Sequence, residues 1–199
     1  MSDKINAAIF LDRDGVINKI HYDEDIGLCT PHIPEDFVFI AKVPETIKKI
    51  NGMGFLAVVV CNQPDISKGR LAQNMHEKIN NKMVSDLAAC GAKLDGVYYC
   101  FHSNEDNCAC RKPKPGMLLK AAHELGIDLT RSYIVGDTIA DVDAGKNAGC
   151  STILTANPRL DLLNILHERG CEPDYIVKDL DHAVELIMSM EKARVENGM

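Results

Sequence analysis

Two acids two residues apart, Asp12 and Asp14, stand in the run Ile9-Phe10-Leu11-Asp12-Arg13-Asp14-Gly15-Val16-Ile17-Asn18. One carboxylate of such a pair can attack an electrophile while its neighbour moves protons. Ala8 to Leu11 are apolar and read as a buried strand, and Gly15 breaks the pattern directly after the second acid. Both acids therefore stand at the C-terminal end of a strand, where open α/β sheets bind their ligands. An acidic turn would explain the pair equally well if it stood alone.

Three further segments bear on that choice. The apolar run Val58-Val59-Val60 ends in Cys61, Asn62 and Gln63, a polar tip suited to an oxyanion, although a polar turn is the simpler reading of this fragment. Arg111-Lys112-Pro113-Lys114-Pro115 places three cations within four residues, just before a helical pattern whose N-terminus adds positive potential. Its two prolines restrict where those cations point. Finally, Ile134-Val135-Gly136-Asp137 ends another apolar run in Gly-Asp, and Asp141 follows at i+4. Asp137 and Asp141 would share a helix face if the helix has already begun. Asp141 alone reads more simply as an acid facing the helix dipole. Asp12, Asp14 and Asp137 together form an oxygen-rich set suited to Mg²⁺.

A second constellation is Cys100, His102, Cys108 and Cys110, spaced C-x-H, five residues, then C-x-C. Four soft or borderline ligands within eleven residues suit tetrahedral Zn²⁺. A fully ligated ion would be structural. Because Cys110 directly precedes Arg111 and Lys112, zinc would aim the neighbouring cations.

The elements that must position these residues alternate. Strand patterns cover 8–11, 56–61, 96–99, 133–135, 152–154 and 175–177, and helical patterns cover 44–53, 71–90, 117–125, 141–148, 160–168 and 181–190. Pro44 opens one helix, while Gly91, Gly126 and Gly149 follow others. Such alternation predicts an α/β fold with a parallel sheet. We expect one domain over 1–199, with inserted loops at 21–40 and 100–115, neither large enough to be a separate lid.

Composition narrows the partners. A net charge of −7 over 199 residues argues against a general nucleic-acid binder. The first six residues lack the pattern of a signal peptide, and no apolar run is long enough to span a bilayer. Eight cysteines in a chain large enough to fold without disulfides suggest reduced thiols and a cytoplasmic protein. The expected partner is a small phosphorylated molecule, with no nucleic acid and no membrane, and the expected state is a monomer.

The four motifs from Asp12 to Asp141, in this order, resemble the haloacid dehalogenase (HAD) superfamily of phosphotransferases. The resemblance implies a HAD-like (Rossmannoid) parallel sheet with helices on both faces and no large cap domain. It implies that Asp12 is the nucleophile of an aspartyl-phosphate pathway and Asp14 the general acid and base. Lys112 would stabilise the phosphoryl group, and Mg²⁺ would sit on Asp12, Asp137 and the Asp14 backbone carbonyl, with Asp141 behind them. Cys61 departs from the usual Ser or Thr, and a thiol is the weaker donor, so a slower or altered enzyme is expected.

The Cys-x-His and Cys-x-Cys-Arg-Lys-Pro insert is similar to bacterial D,D-heptose 1,7-bisphosphate phosphatases and related histidinol-phosphatase domains. That likeness implies that Arg111 recognises substrate and that Ile20, His21, Tyr22 and Asp23 line the pocket with Cys61, Asn62 and Gln63. Pro64-Asp65 replaces a more usual small pair. The short metal loop pulls toward the histidinol-phosphate branch, whereas Pro31, Pro34 and residues 37–40 pull toward the heptose branch. We expect a Mg²⁺-dependent phosphomonoesterase acting on D-glycero-D-manno-heptose 1,7-bisphosphate. Histidinol phosphate is the alternative. A polynucleotide 3′-phosphatase and a non-catalytic, zinc-stabilised binding module are the remaining readings.

Overall fold

Ala8, Ile9, Phe10 and Leu11 are wholly buried in the computed structural model of the chain, which describes residues 6–24, 27–155, 170 and 172–196. An apolar run buried on both faces belongs at the centre of a parallel sheet, and this one forms the central strand β1 (Ala8–Leu11). A small antiparallel hairpin follows, β2 (His21–Asp23) and β3 (Gly27–Cys29). The chain then alternates through α1 (Val43–Gly52), β4 (Leu56–Asn62), α2 (Gln73–Ala89), β5 (Gly96–Cys100), α3 (Gly116–Leu125) and β6 (Tyr133–Gly136). It continues through α4 (Ile139–Ala148), β7 (Ser151–Thr155), β8 (Tyr175–Val177) and α5 (Leu180–Glu196).

The main sheet has six parallel strands in the order β5-β4-β1-β6-β7-β8. The chain runs outward from β1 in both directions, so the strand order reverses there and opens a crevice at the C-terminal ends of β1, β4 and β6. Side chains alternate across the sheet. Ile9, Leu11, Val59 and Cys61 join a core with Ile47 of α1, Met83 of α2 and Val184 of α5, whereas Phe10, Val58 and Val60 pack with Leu118 of α3 and Ala144 of α4. Helices thus cover both faces, as expected.

All six expected strands form. β4 runs one residue further than its apolar pattern because Asn62 still pairs with Cys100. α5 continues six residues past the expected end, supported by an Arg194–Glu191 ion pair at 2.7 Å. The helix expected over 160–168 lies outside the described residues. The β2–β3 hairpin was not legible in the first insert. Its strands are three residues each, too short for a period to show, and they leave Tyr22 and Leu28 paired and largely exposed. No helix among the described residues is long and apolar enough to cross a membrane.

The first turn of α5 is tied to α1 through Asp181. Its carboxylate accepts from Lys42 Nζ at 2.8 Å, Lys49 Nζ at 2.7 Å and Thr46 Oγ1 at 3.1 Å. Those hydrogen bonds hold Asp181 well below the usual carboxylate range. A depressed carboxylate stabilises the fold above its unfolded value of about 3.9 and loses that contribution as pH falls further. Asp181→Asn should therefore cost about 1 kcal/mol at pH 7, since two partners are exposed lysines. In urea titrations the gap from wild type should close below about pH 4.

Candidate active site

The dryness of β1 fixes where its first polar residue emerges. The Asp12 backbone N–H still donates to Val135 O at 3.0 Å, so the sheet holds Asp12 one residue past the strand. The chain then turns sharply. Ile17 and Asn18 N–H groups both donate to Arg13 O, at 2.8 and 3.0 Å, and Gly15 N–H donates to Asn18 O at 2.8 Å. Gly15 takes φ +88°, and a Cβ there would lie 2.1 Å from Asp137 Oδ2. This position therefore needs glycine twice over, for its backbone and for the carboxylate beside it.

Lys112 enters from the other side of the crevice. Its backbone N–H donates to Asn62 Oδ1 at 3.1 Å and its carbonyl accepts from Asn62 Nδ2 at 3.0 Å. The buried ammonium reaches Asp141 Oδ1 at 2.5 Å, Val60 O at 2.8 Å and Asp12 Oδ1 at 3.1 Å. Burial alone would push Lys112 down, but Asp12 and Asp141 outweigh it and keep it charged.

Asp137 and Asp141 meet without sharing a helix face, because α4 begins only at Ile139. Asp141 instead closes a capping box, accepting from Thr138 N–H at 3.1 Å and Thr138 Oγ1 at 2.5 Å. The plainer expectation for Asp141, an acid at the helix N-terminus, describes its backbone role. Oxygens of Asp12, Asp137 and Asp141 lie within 4.8 Å of one another.

Asp14 has a different environment. Arg13 Nη2 and Nε donate to Oδ1 at 3.1 and 3.3 Å, and Asn18 Nδ2 does so at 2.9 Å. Oδ2 accepts from Gln63 Nε2 at 2.6 Å and Arg13 Nη2 at 3.0 Å, with Cys61 Sγ at 3.8 Å.

Above these groups lies a cavity of about 360 Å³. Asp12, Asp14, Lys112 and Asp137 border it, residues 28–30 come from the first insert and Ile20 directly precedes that insert, and Cys61 to Asp65 come from the end of β4 and the loop after it. Of the residues expected to line it, Ile20, Cys61, Asn62 and Gln63 do so. His21, Tyr22 and Asp23 lie in β2 outside the lining, with Tyr22 exposed and His21 3.7 Å from Asp36. Arg111 also lies outside it, donating to Asn104 Oδ1 at 2.7 Å and His102 O at 3.2 Å. Among the contributors missed are Leu28, Cys29, Thr30, Thr138 and the buried Arg13. Thr30 sits in the unread hairpin region, and Arg13 was passed over although an arginine inside a buried acidic turn is itself a signal.

Cys100, His102, Cys108 and Cys110 form a second cluster. Their sulfurs lie 3.2–3.6 Å apart, and His102 Nδ1 is 3.3 Å from Cys110 and 3.5 Å from Cys100. None is in a disulfide.

Residues 109–183 match the HAD-hydrolase-like family. A D-glycero-beta-D-manno-heptose-1,7-bisphosphate 7-phosphatase of Pasteurella multocida is 42% identical over 148 residues, 71% of this chain and 76% of the relative. The protein of that name from Escherichia coli K12 is 35% identical over 196 residues, 93% of this chain and 95% of the relative. The chain belongs to the HAD phosphatase family. The crystal structure of D,D-heptose 1,7-bisphosphate phosphatase from B. bronchiseptica, complexed with magnesium and phosphate, superposes with a TM-score of 0.79 at 28% identity. That match covers 92% of this phosphatase and 99% of the other chain.

The phosphatase's acids fit a hard cation. Asp137 Oδ1 is buried with no hydrogen-bond partner among the described residues. Burial, then Asp12 and Asp141, raise Asp137 to about 7, and burial, then Asp141, raise Asp12 to about 6 against the pull of Lys112. Burial and crowded like charges thus disfavour ionisation of both acids, and a bound cation would oppose that effect. Gly15→Ala should destabilise the phosphatase by about 1–3 kcal/mol in denaturant titrations, from left-handed strain and the displaced Asp137 carboxylate. Unchanged stability would mean that the turn and Asp137 do not constrain each other.

Proposed function

We propose that this phosphatase hydrolyses one phosphomonoester of D-glycero-D-manno-heptose 1,7-bisphosphate, at C7, through an aspartyl-phosphate on Asp12. The observation that carries this reading is Asp12 itself, a carboxylate held at the cavity 3.1 Å from a buried lysine and beside the unpartnered Oδ1 of Asp137. The family membership and the names of the relatives supply the substrate class.

Asp12 attacks phosphorus, and the bond to the sugar oxygen breaks as Asp14 gives that oxygen a proton. Water then bonds to phosphorus, the Asp12–phosphorus linkage breaks, and Asp14 takes the water's proton. Lys112 offsets phosphoryl charge and keeps Asp12 oriented through the two acids it bridges. Asp12, Asp137 and the Asp14 carbonyl would hold Mg²⁺, which when bound offsets the charge between nucleophile and phosphate. Cys61 and Gln63 face Asp14 from β4 and its loop, and Asn62 secures Lys112, so these three act on the machinery as much as on substrate. Arg111 would recognise substrate only after leaving Asn104.

The thiol cluster reads as a structural zinc site. Tetrahedral zinc with sulfurs at about 2.3 Å spaces them about 3.8 Å apart, close to the separations here. Free thiols throughout the described residues also support a reducing, cytoplasmic setting.

A substrate panel tests the function. With Mg²⁺, phosphate release should be fastest from the heptose bisphosphate, and slower from histidinol phosphate and 3′-phosphorylated oligonucleotides. Asp12→Asn should abolish release while the chain still melts cooperatively. Turnover surviving that change would rule out Asp12 as nucleophile. For the second metal, elemental analysis should find about one zinc per chain, lost with Cys108→Ser and Cys110→Ser together. A double variant that keeps its zinc would remove the assignment.

A further inference from the structure

Arg13 is the largest fully buried side chain among the described residues. A buried guanidinium is costly unless paired, and this one is committed to Asp14. Nε and Nη2 grip Oδ1 at 3.3 and 3.1 Å, Nη2 also reaches Oδ2 at 3.0 Å, and Nη2 donates to the Thr30 hydroxyl. A planar fork fixes the orientation of a carboxylate, as the point charge of lysine does not.

The guanidinium is braced from behind. Its central carbon lies over the Tyr99 ring, 5.6 Å from the centroid, a cation–π contact. Tyr99 is pinned by its hydroxyl, which donates to Asn80 Oδ1 at 3.0 Å. Phe101 stacks on Tyr99 at 6.0 Å and 17°, and His76 meets both rings edge-on at 4.4 and 5.1 Å. Burial, then Arg13, hold His76 at about 4, so it adds no charge near the guanidinium at neutral pH. Phe101 stands between the metal-loop residues Cys100 and His102.

We infer that Arg13 is a positioning residue that holds the Asp14 carboxylate for the hydrolysis half of the reaction, and that Tyr99, packed by His76 and Phe101, holds Arg13. The inference rests on the proposed role of Asp14. Arg13, Asn18 and Gln63 all present N–H donors to Asp14, an arrangement complementary to a carboxylate rather than to a carboxylic acid. It is as a carboxylate that Asp14 takes a proton from the water attacking phospho-Asp12. A base free to swing between rotamers would meet that water less often.

Acid-quenched time courses with p-nitrophenyl phosphate separate formation of phospho-Asp12 from its decay, since p-nitrophenolate leaves without needing a proton. The full chain is used, with Mg²⁺ and its bound zinc. Arg13→Lys should leave formation within about threefold of wild type and slow decay at least about tenfold, so that phosphoenzyme accumulates. Tyr99→Leu, which leaves Arg13 and Asp14 in place, should show the same asymmetry and carries the test if Arg13→Lys does not fold. Tyr99→Phe keeps the ring face but loses the hydroxyl bond to Asn80, so its ratio of the two rates should fall between those of wild type and Tyr99→Leu. Equal losses in formation and decay would mark a merely structural role and overturn the inference, as would decay unchanged in Arg13→Lys or Tyr99→Leu. A wild-type chain that turns over without forming phospho-Asp12 would instead overturn the proposed function.

Discussion

Three carboxylates, Asp12, Asp137 and Asp141, cluster at the end of a sheet whose central strand is dry, and two of them, Asp12 and Asp141, pair with the buried ammonium of Lys112. Ions taken out of water cost several kcal/mol each unless they are paired and hydrogen-bonded. Asp141 is satisfied by Lys112 and by Thr138, and Asp12 by Lys112 and by the Arg13 N–H at 2.7 Å. Asp137 is left with a bare buried oxygen. That imbalance governs the rest of the site. It makes room for a cation, demands a glycine where the turn passes Asp137, and requires rigid strands, because like charges would otherwise spread apart.

The same constraint separates two acids that are chemically identical and two residues apart. Burial, then the carboxylates it faces, raise Asp12; for Asp14, burial is outweighed by Arg13, Asn18 and Thr30, and it is lowered. Their side chains diverge at the end of β1, so one falls among acids and the other against a guanidinium. The two acids thus differ through their neighbours, not their type. Arg13, between them in sequence, turns its charge to one only.

Much of this was legible in the sequence because it followed from period and polarity. The buried runs ending in Asp12, Asn62 and Asp137 could only be central strands, and strands of one parallel sheet bring their C-terminal ends together. The thiol loop was readable from its ligand spacing, and Lys112 from its cationic segment together with the family resemblance. What escaped depended on side-chain direction. Asp141 was weighed as a partner of Asp137 on one helix face, but a late helix start made it a capping residue that also holds Lys112. Arg111 and Lys112 are adjacent in sequence, yet one lies buried on the acids and the other reaches Asn104 in the metal loop. The hairpin escaped because three-residue strands carry no period.

The position of Lys112 shows how a loop without an apolar core can still be exact in its geometry. Its peptide is clasped on both sides by the amide of Asn62, and Asn62 is fixed in turn by pairing with Cys100 in the sheet. Two residues before Lys112 stands Cys110, in contact with Cys100 at 3.2 Å. The strand pair β4–β5 therefore grips the segment twice, once through an amide and once through the thiol cluster. Phe101, between two members of that cluster, leans on the ring that backs Arg13. Both cations that shape the acids, Lys112 and Arg13, thus trace their placement to the end of β5. Order in the thiol loop is consequently a condition for the charge pattern of the active site, although the loop contributes no acid to it.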